Sequence, residues 1–240
     1  MNKLIFNRKE ENFMTSNPEP ILLYGTCNWA RLLLGELGAD PHYHIVGVVC
    51  DPEYYRDAHF CGYPQYVFTD VEKIFPPDHF RMLVCGIYAS PRERAAYYLR
   101  AKQKNYSCVN FISRNANVSP SARLGENNFI FGGVYIDAEC RFGNNNIVRP
   151  NSYIGHECEV GDTVFIAPGC NVAGRCRISD LSMLGIGSTL IGNLLIGREV
   201  LVGAGALMLG NAAPLGKYLG VPAKRCGEID PECGIWLGEK

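Results

Sequence analysis

The sequence predicts a two-part protein, an α/β Rossmann-like domain followed by a parallel β-helix built of hexapeptide repeats. Two observations carry this. Between Pro20 and Phe111, short apolar runs alternate with segments of helical apolar spacing, the pattern of a parallel sheet with helical crossovers. From Val118 to Met208, every sixth residue is large and apolar: Val118, Leu124, Ile130, Ile136, Phe142, Val148, Ile154, Val160, Ile166, Val172, Ile178, Leu184, Leu190, Ile196, Val202, Met208. A period of six fits neither a helix nor a lone alternating strand, but it fits coils of short strands that stack on one another.

Taken in order, residues 1–19 read as a polar leader arm ending in the turn-rich SNPEP. The α/β domain is expected over 20–111. Ile21–Tyr24 is a buried strand, Gly25-Thr26-Cys27-Asn28 a loop, and Trp29–Leu37 a helix. His44–Cys50 is a second strand that stops at Asp51-Pro52. Gly62–Phe68 reads as extended, Asp70–Phe75 as a helical turn and Arg81–Ile87 as a buried strand. A helix over Pro91–Lys104 and a strand over Ser107–Phe111 complete the domain. Ligands of such a sheet sit beyond the strand C-termini, which draws Gly25, Cys27, Asn28, Trp29 and Asp51 together as candidate substrate contacts. The loop has one glycine rather than the three of a dinucleotide fingerprint, which argues against NAD. A turn with a purely structural role is the competing reading.

The β-helix is expected over 112–225. After the apolar residue comes a frequent Gly or Ala, and four places after it a small or β-branched residue such as Cys140, Cys158, Cys170 or Cys176. Three hexads per coil would stack residues eighteen apart at the strand spacing of about 4.8 Å. His156 then shares a column with Ala138, Gly174 and Gly192, while Glu157 lies between Glu139 and Arg175. Cys140, Cys158 and Cys176 form an inward column whose readings are packing, a disulfide or a metal site, with packing favoured.

His156 is the only histidine in the repeat and sits at a corner, outside the apolar column. An imidazole there can exchange protons near neutral pH, and Glu157 could orient it. The alternative is an exposed corner histidine, with Glu157 paired to Arg175. Gly174, one coil along, should leave open space and a backbone N–H able to stabilise an oxyanion.

Composition narrows the function. With 23 Lys+Arg against 24 Asp+Glu, there is no electrostatic case for nucleic acid or an anionic membrane. No apolar run approaches a membrane span, and MNKLIFNRKEENF is too charged for a signal peptide. Eleven cysteines without CxxC pairing or a secretory signal predict reduced thiols in a cytoplasmic protein without a metal.

The hexads, NSYIGHECEVGD (Asn151–Asp162), FIAPGCNVAG (Phe165–Gly174) and GVPAK (Gly220–Lys224) together resemble the hexapeptide-repeat acyltransferases. More narrowly, the chain looks like the sugar acetyltransferases related to sialic-acid O-acetyltransferase and to the bacterial UDP-4-amino-sugar N-acetyltransferases. The resemblance spans Pro20 to Lys224 and implies a left-handed β-helix, a homotrimer and acetyl-CoA as co-substrate. It further implies His156 as general base, Glu157 as its acidic partner and Gly174 as oxyanion donor. Acetyl-CoA contacts fall by position on Phe165, Gly174, Ile186 and Ala204, with Lys224-Arg225 near the nucleotide phosphates. The nucleotide-sugar loop carries over to Gly25, Cys27, Asn28 and Trp29, with Asp51 after the second strand. Relatives often have Gly-x-Gly-His in that loop and can have His at the position of Phe165, so this chain differs at both places.

The expected activity is acetyl transfer to a nucleotide-linked or free sugar in bacterial glycan synthesis, in the first place to the amino group of a nucleotide-linked amino sugar. The alternatives are O-acetylation of a sialic-acid-type sugar and a non-catalytic trimeric ligand-binding scaffold. A γ-type carbonic anhydrase shares the solenoid but needs three metal-binding histidines. No role is assigned to the tail at 226–240.

Overall fold

A computed structural model of the chain describes residues 20–86 and 89–236. The leader over 1–19, Ile87 at the end of an expected strand, and residues 237–240 of the tail lie outside the described residues.

The first domain comprises β1 (Pro20–Tyr24), α1 (Asn28–Gly38), β2 (His44–Cys50), β3 (His59–Phe60), β4 (Tyr63–Val67), α2 (Val71–Ile74), β5 (Arg81–Val84) and α3 (Pro91–Gln103). Its sheet has the order β3-β4-β2-β1-β5 and is parallel except for the β3–β4 pair. Helix α1 buries Trp29, Ala30, Leu33, Leu34 and Leu37, the stripe that the i, i+3/i+4 spacing requires. Helix α3 starts where Ser90 accepts a hydrogen bond from the Glu93 N–H at 3.3 Å and Pro91 fills the first turn.

The strand expected over Ser107–Phe111 is divided between the two domains. Cys108 bridges to Met82 at the edge of the first sheet, whereas Phe111 pairs with Phe129 as the first rung of the β-helix. The two apolar ends of this segment face different cores, which a single run of letters does not distinguish.

From Phe111 onward the eighteen-residue register holds. Ile136 pairs with Val118 and Ile154, Phe142 with Leu124 and Val160, and Val148 with Ile130 and Ile166. The strands assemble three faces, of six, five and eight strands, and all but the last two of the eight are two residues long. The sixth-residue column from Ile130 to Met208 is buried in one continuous core. Full burial of each such side chain is worth about 1.5–3 kcal/mol, and repetition over the coils makes this the dominant stabilising term.

The small column is inward as expected. The Cys140, Cys158 and Cys176 thiols are free and donate to the carbonyls of Gly155, Ala173 and Ile191 at 3.1, 3.3 and 3.2 Å. Among the described residues no group of cysteines, histidines and carboxylates is placed to hold a metal.

A further period is absent from the expectations above. One residue per corner has positive φ: Asn127, Gly133, Glu139, Asn145, Asn151, Glu157, Thr163, Gly169, Arg175, Leu181, Gly187, Asn193, Glu199 and Gly205. The left-handed residue turns the chain between faces, which is why asparagine and glycine recur there.

The last coil is shorter. Val202 pairs with Tyr218 and Ile196 with Ala212, each sixteen rather than eighteen residues on. A hairpin of Gly216–Leu219 and Lys224–Glu228 then forms the last two strands of the eight-stranded face, beyond Leu201–Val202. The tail folds back so that Ile229 and Ile235 pack on Met183 beside Phe165 and Leu201.

A buried seam fixes the two domains together. Trp29 meets Phe129 edge-on, in a cluster that includes Phe111, Phe131 and Ile147. Asn127 bonds both the N–H and the C=O of Val84, at 2.7 and 3.1 Å, and continues to Asn145 at 2.8 Å. These asparagines complete the end of β5 as another strand would, so the first domain's pocket is held at a set place over the β-helix.

Candidate active site

The chain after Ile154 turns a corner between the six- and five-stranded faces, and His156 and Glu157 form that corner. Glu157 has φ 58°, and its carboxylate returns to the ring: His156 Nδ1 and Glu157 Oε2 are 2.9 Å apart. Arg175 Nε donates to the same oxygen at 2.9 Å. Glu157 thus contacts the imidazole and Arg175 through one oxygen. The His156 contact first, then Arg175, holds the Glu157 carboxyl below the ordinary glutamate range. His156 itself is about half exposed, with 48 % of its side-chain surface accessible.

Gly174 was expected to leave open space above this histidine, and the structure corrects that. The ring of His156 occupies the space, since a β-carbon at Gly174 would lie 2.6 Å from His156 Nε2, 2.8 Å from Cε1 and 2.9 Å from Cδ2. The glycine is thus what lets the imidazole stand in this rotamer. The flanking ladder bonds come from Ala173 N–H to Leu190 and Arg175 N–H to His156, leaving the Gly174 N–H outside the ladder.

A second feature is a cleft of about 600 Å³ on the same solenoid. Its wall includes the expected Phe165, Ile186 and Ala204, together with Ile147, Met183, Leu201, Pro168 and Arg149. Residues 147, 165, 183 and 201 are one column in steps of eighteen, so stepping from Phe165 would have revealed them in the sequence. The walls are chiefly aliphatic and Arg149 stacks on Phe131 with its guanidinium carbon 4.4 Å from the ring centre. A long, mostly apolar arm with polar ends fits such a cleft.

Lys224 is exposed and does not line it; it lies on the hairpin, two strands beyond Leu201. The cleft corner (Pro168, Ile186, Ala204) follows the eight-stranded face, whereas His156 and Gly174 follow the six-stranded one. Within one protomer the six-stranded face separates them.

The loop candidates divide. Gly25, Cys27 and Asp51 line a pocket of about 140 Å³ at the C-terminal ends of β1, β2 and β5, with Tyr54, Cys85, Gly86 and Tyr97. Asn28 and Trp29 instead line the large cleft. Trp29 is mostly buried and donates to the Gly86 carbonyl at 2.8 Å, so it fastens the β5 loop to α1. Asp51 is 3 % exposed and accepts from Tyr24 Oη at 2.8 Å and from both terminal nitrogens of Arg100. Tyr54 and Tyr97 escaped the sequence reading because they reach this edge from a short 3₁₀ turn (Pro52–Tyr54) and from α3.

Comparison with known proteins agrees with this architecture. Residues 139–174 match the family described as bacterial transferase hexapeptide (six repeats). No curated protein sequence matches the chain. Among solved structures, PerB from Caulobacter crescentus, in complex with CoA and GDP-perosamine, is 26% identical with a TM-score of 0.77, covering 87% of this chain and 97% of that one. The acetyltransferase domain of PglB from Neisseria gonorrhoeae is 23% identical with a TM-score of 0.76, covering 86% and 99%. WeeI from Acinetobacter baumannii is 20% identical with a TM-score of 0.74, covering 85% and 98%. The expected α/β domain and left-handed β-helix are therefore the fold of this chain. In repeat, domain order and fold, the chain is similar to the hexapeptide-repeat sugar acetyltransferases.

Proposed function

We propose that this protein transfers an acetyl group from acetyl-CoA to the amino group of a nucleotide-linked amino sugar, with His156 as general base. The observation that carries the reading is the corner itself. An exposed imidazole is oriented through Nδ1 by Glu157, and its other edge stands against a glycine whose N–H the ladder leaves unused. The neighbour from Caulobacter crescentus binds CoA and GDP-perosamine, and its variant structure names it a perosamine N-acetyltransferase. An amine acceptor follows from that likeness.

Acetyl-CoA supplies an activated acyl carbon. His156 Nε2 takes the proton that the attacking amine sheds, and Glu157 keeps the ring in register and balances the imidazolium charge. The Gly174 N–H is the candidate donor to the oxygen where negative charge develops. His156 then returns a proton to the leaving thiolate. Holding amine and thioester together makes a covalent acyl-enzyme unnecessary.

Phe165, Ile186 and Ala204 would take the pantetheine arm, while Lys224 and Arg225, two strands beyond Leu201, would reach the phosphates. The nucleotide-linked sugar would enter by the pocket of Gly25, Cys27 and Asp51. Because cleft and His156 sit at different corners of one solenoid, a complete site needs a second copy to bring them together. A closed threefold ring does this once per interface, and exposed Tyr135 and Tyr153 on the six-stranded face suit such a contact.

The test is acetylation of a panel of UDP-, dTDP- and GDP-linked amino sugars by the wild type and His156→Ala, with mass determination by light scattering. Loss of about 10²–10⁴-fold in kcat on removing the imidazole is expected. Unchanged turnover in the variant, or a monomeric mass for an active protein, would refute the assignment. Product formed only on a hydroxyl would shift the reading to O-acetylation.

A further inference from the structure

The small pocket of the first domain contains a chemical feature that acetyl transfer does not use. Cys27 is half-buried at the N-cap of α1, and Cys85 is fully buried just after β5. Their Sγ atoms are 3.9 Å apart, and the Cys27 thiol also points at the Cys85 carbonyl at 3.4 Å. Gly25, at φ 127°, brings the loop so close that a β-carbon there would collide with the Cys85 carbonyl. Strand pairing of Tyr24 with Val84 and a 2.7 Å bond from Cys85 N–H to the Tyr24 carbonyl fix the two loops side by side. Both cysteines line the pocket.

The two thiols are unlike. The Cys85 contact, and then the Ala30 and Trp29 N–H groups of the α1 N-terminus, lower the Cys27 pKa against the opposing effect of burial. Burial pushes the Cys85 thiol well up. A partly accessible thiol whose pKa is lowered, 3.9 Å from a buried one whose pKa is raised, is the arrangement of an attacking and a resolving cysteine.

We propose that Cys27 and Cys85 are a reversible redox pair, joined by a peroxide-class oxidant into a disulfide that closes the small pocket to the nucleotide-linked sugar. The Cys27 thiolate attacks the peroxide oxygen, breaking the O–O bond to give a sulfenic acid and hydroxide. The Cys85 sulfur then displaces the sulfenic oxygen, and that oxygen leaves as water with the Cys85 proton. Two thiols lose two electrons in total and the peroxide gains them. Bond formation draws the sulfurs together by about 2 Å, pulling the Gly25–Cys27 loop and the α1 N-terminus towards β5. Closure of the pocket rests on the proposed function, whereas the disulfide does not.

The test uses the full chain with the exposed Cys61, Cys226 and Cys233 replaced by serine. After hydrogen peroxide treatment, remaining thiols are alkylated in denaturant and the peptides weighed. A Cys27–Cys85 linked peptide is expected, about 2 Da below the sum of the reduced pair and reversed by dithiothreitol. With Cys85→Ser, Cys27 should proceed to the sulfinic acid without a link. If that variant folds poorly, Cys27→Ser should leave Cys85 reduced under the same dose. Recovery of both residues alkylated, or of a sulfinic Cys27 in the parent, would overturn the pair. Calorimetry with UDP and GDP reads the closure, for which at least a tenfold loss of affinity on oxidation is expected. Equal affinity in both states would overturn closure. If neither nucleotide binds the reduced protein, the nucleotide reading fails and closure with it, while the linked peptide still reports the bond.

Discussion

Replacing Gly174 with alanine should disable the base while sparing the fold. The backbone at Gly174 is not in the left-handed region, so alanine is allowed there, and Ala173 precedes it in the same turn. The added carbon would stand 2.6 Å from His156 Nε2, where ordinary contact begins near 3.4 Å. The ring must retreat by about 1 Å, and it can, because half of it faces solvent. A displacement of that size at a reacting group costs about 10²-fold, or about 2.7 kcal/mol of barrier. The expected result is a kcat about a hundredfold lower by chromatographic product assay, with an unaltered melting temperature. The decisive step is the double variant. If the clash acts through the imidazole, Gly174→Ala should cost less than threefold in a His156→Ala background. Equal losses with and without His156, or full activity in the single variant, would refute this account.

Three further outcomes follow. Glu157→Gln keeps an acceptor for the ring but not the charge, so kcat should fall about tenfold; an unchanged kcat would leave Glu157 as a partner of Arg175 alone. Arg94 is wholly buried, with Nη2 on the Thr163 carbonyl at 2.7 Å and with Nε and Nη1 unpaired, and burial lowers its pKa to about 9. Arg94→Met removes two unsatisfied donors, and denaturant titration should show a gain of about 1–3 kcal/mol at pH 7. Because the folded value lies below the ordinary arginine value, the wild type gains stability as pH rises through about 9, so the advantage of the variant should shrink there. A clear loss of stability in Arg94→Met would refute the reading. Ile235→Ala, under the cleft wall formed by Met183 and Leu201, should cost about 2–5 kcal/mol locally and weaken CoA binding measured by calorimetry; unchanged affinity would separate the tail from the cleft.

Legibility in the sequence varied with the range of the interaction. The hexad column, the inward thiols and the eighteen-residue stacking were readable because each rests on a fixed period, and the solenoid repeats one local solution. The corner of His156, Glu157 and Gly174 was readable for the same reason. The left-handed corner residue is a second sixfold period, signalled in the sequence by Asn127, Asn145, Asn151 and Asn193 among varied neighbours. The division of Ser107–Phe111 between two cores, the fastening of Val84 by Asn127, and the burial of Asp51 against Tyr24 and Arg100 were not readable. Each depends on where one domain lies on another.

The sequence by itself therefore determined the architecture, the position of the imidazole and its acidic neighbour, because short-range periodicity dictates them. Only the tertiary structure decided that Gly174 makes room for the ring rather than for a ligand. It also decided that Cys27 meets Cys85 and that the cleft and His156 stand at separate corners. Those facts depend on distances of a few ångströms between segments far apart in the chain, and packing alone fixes such distances.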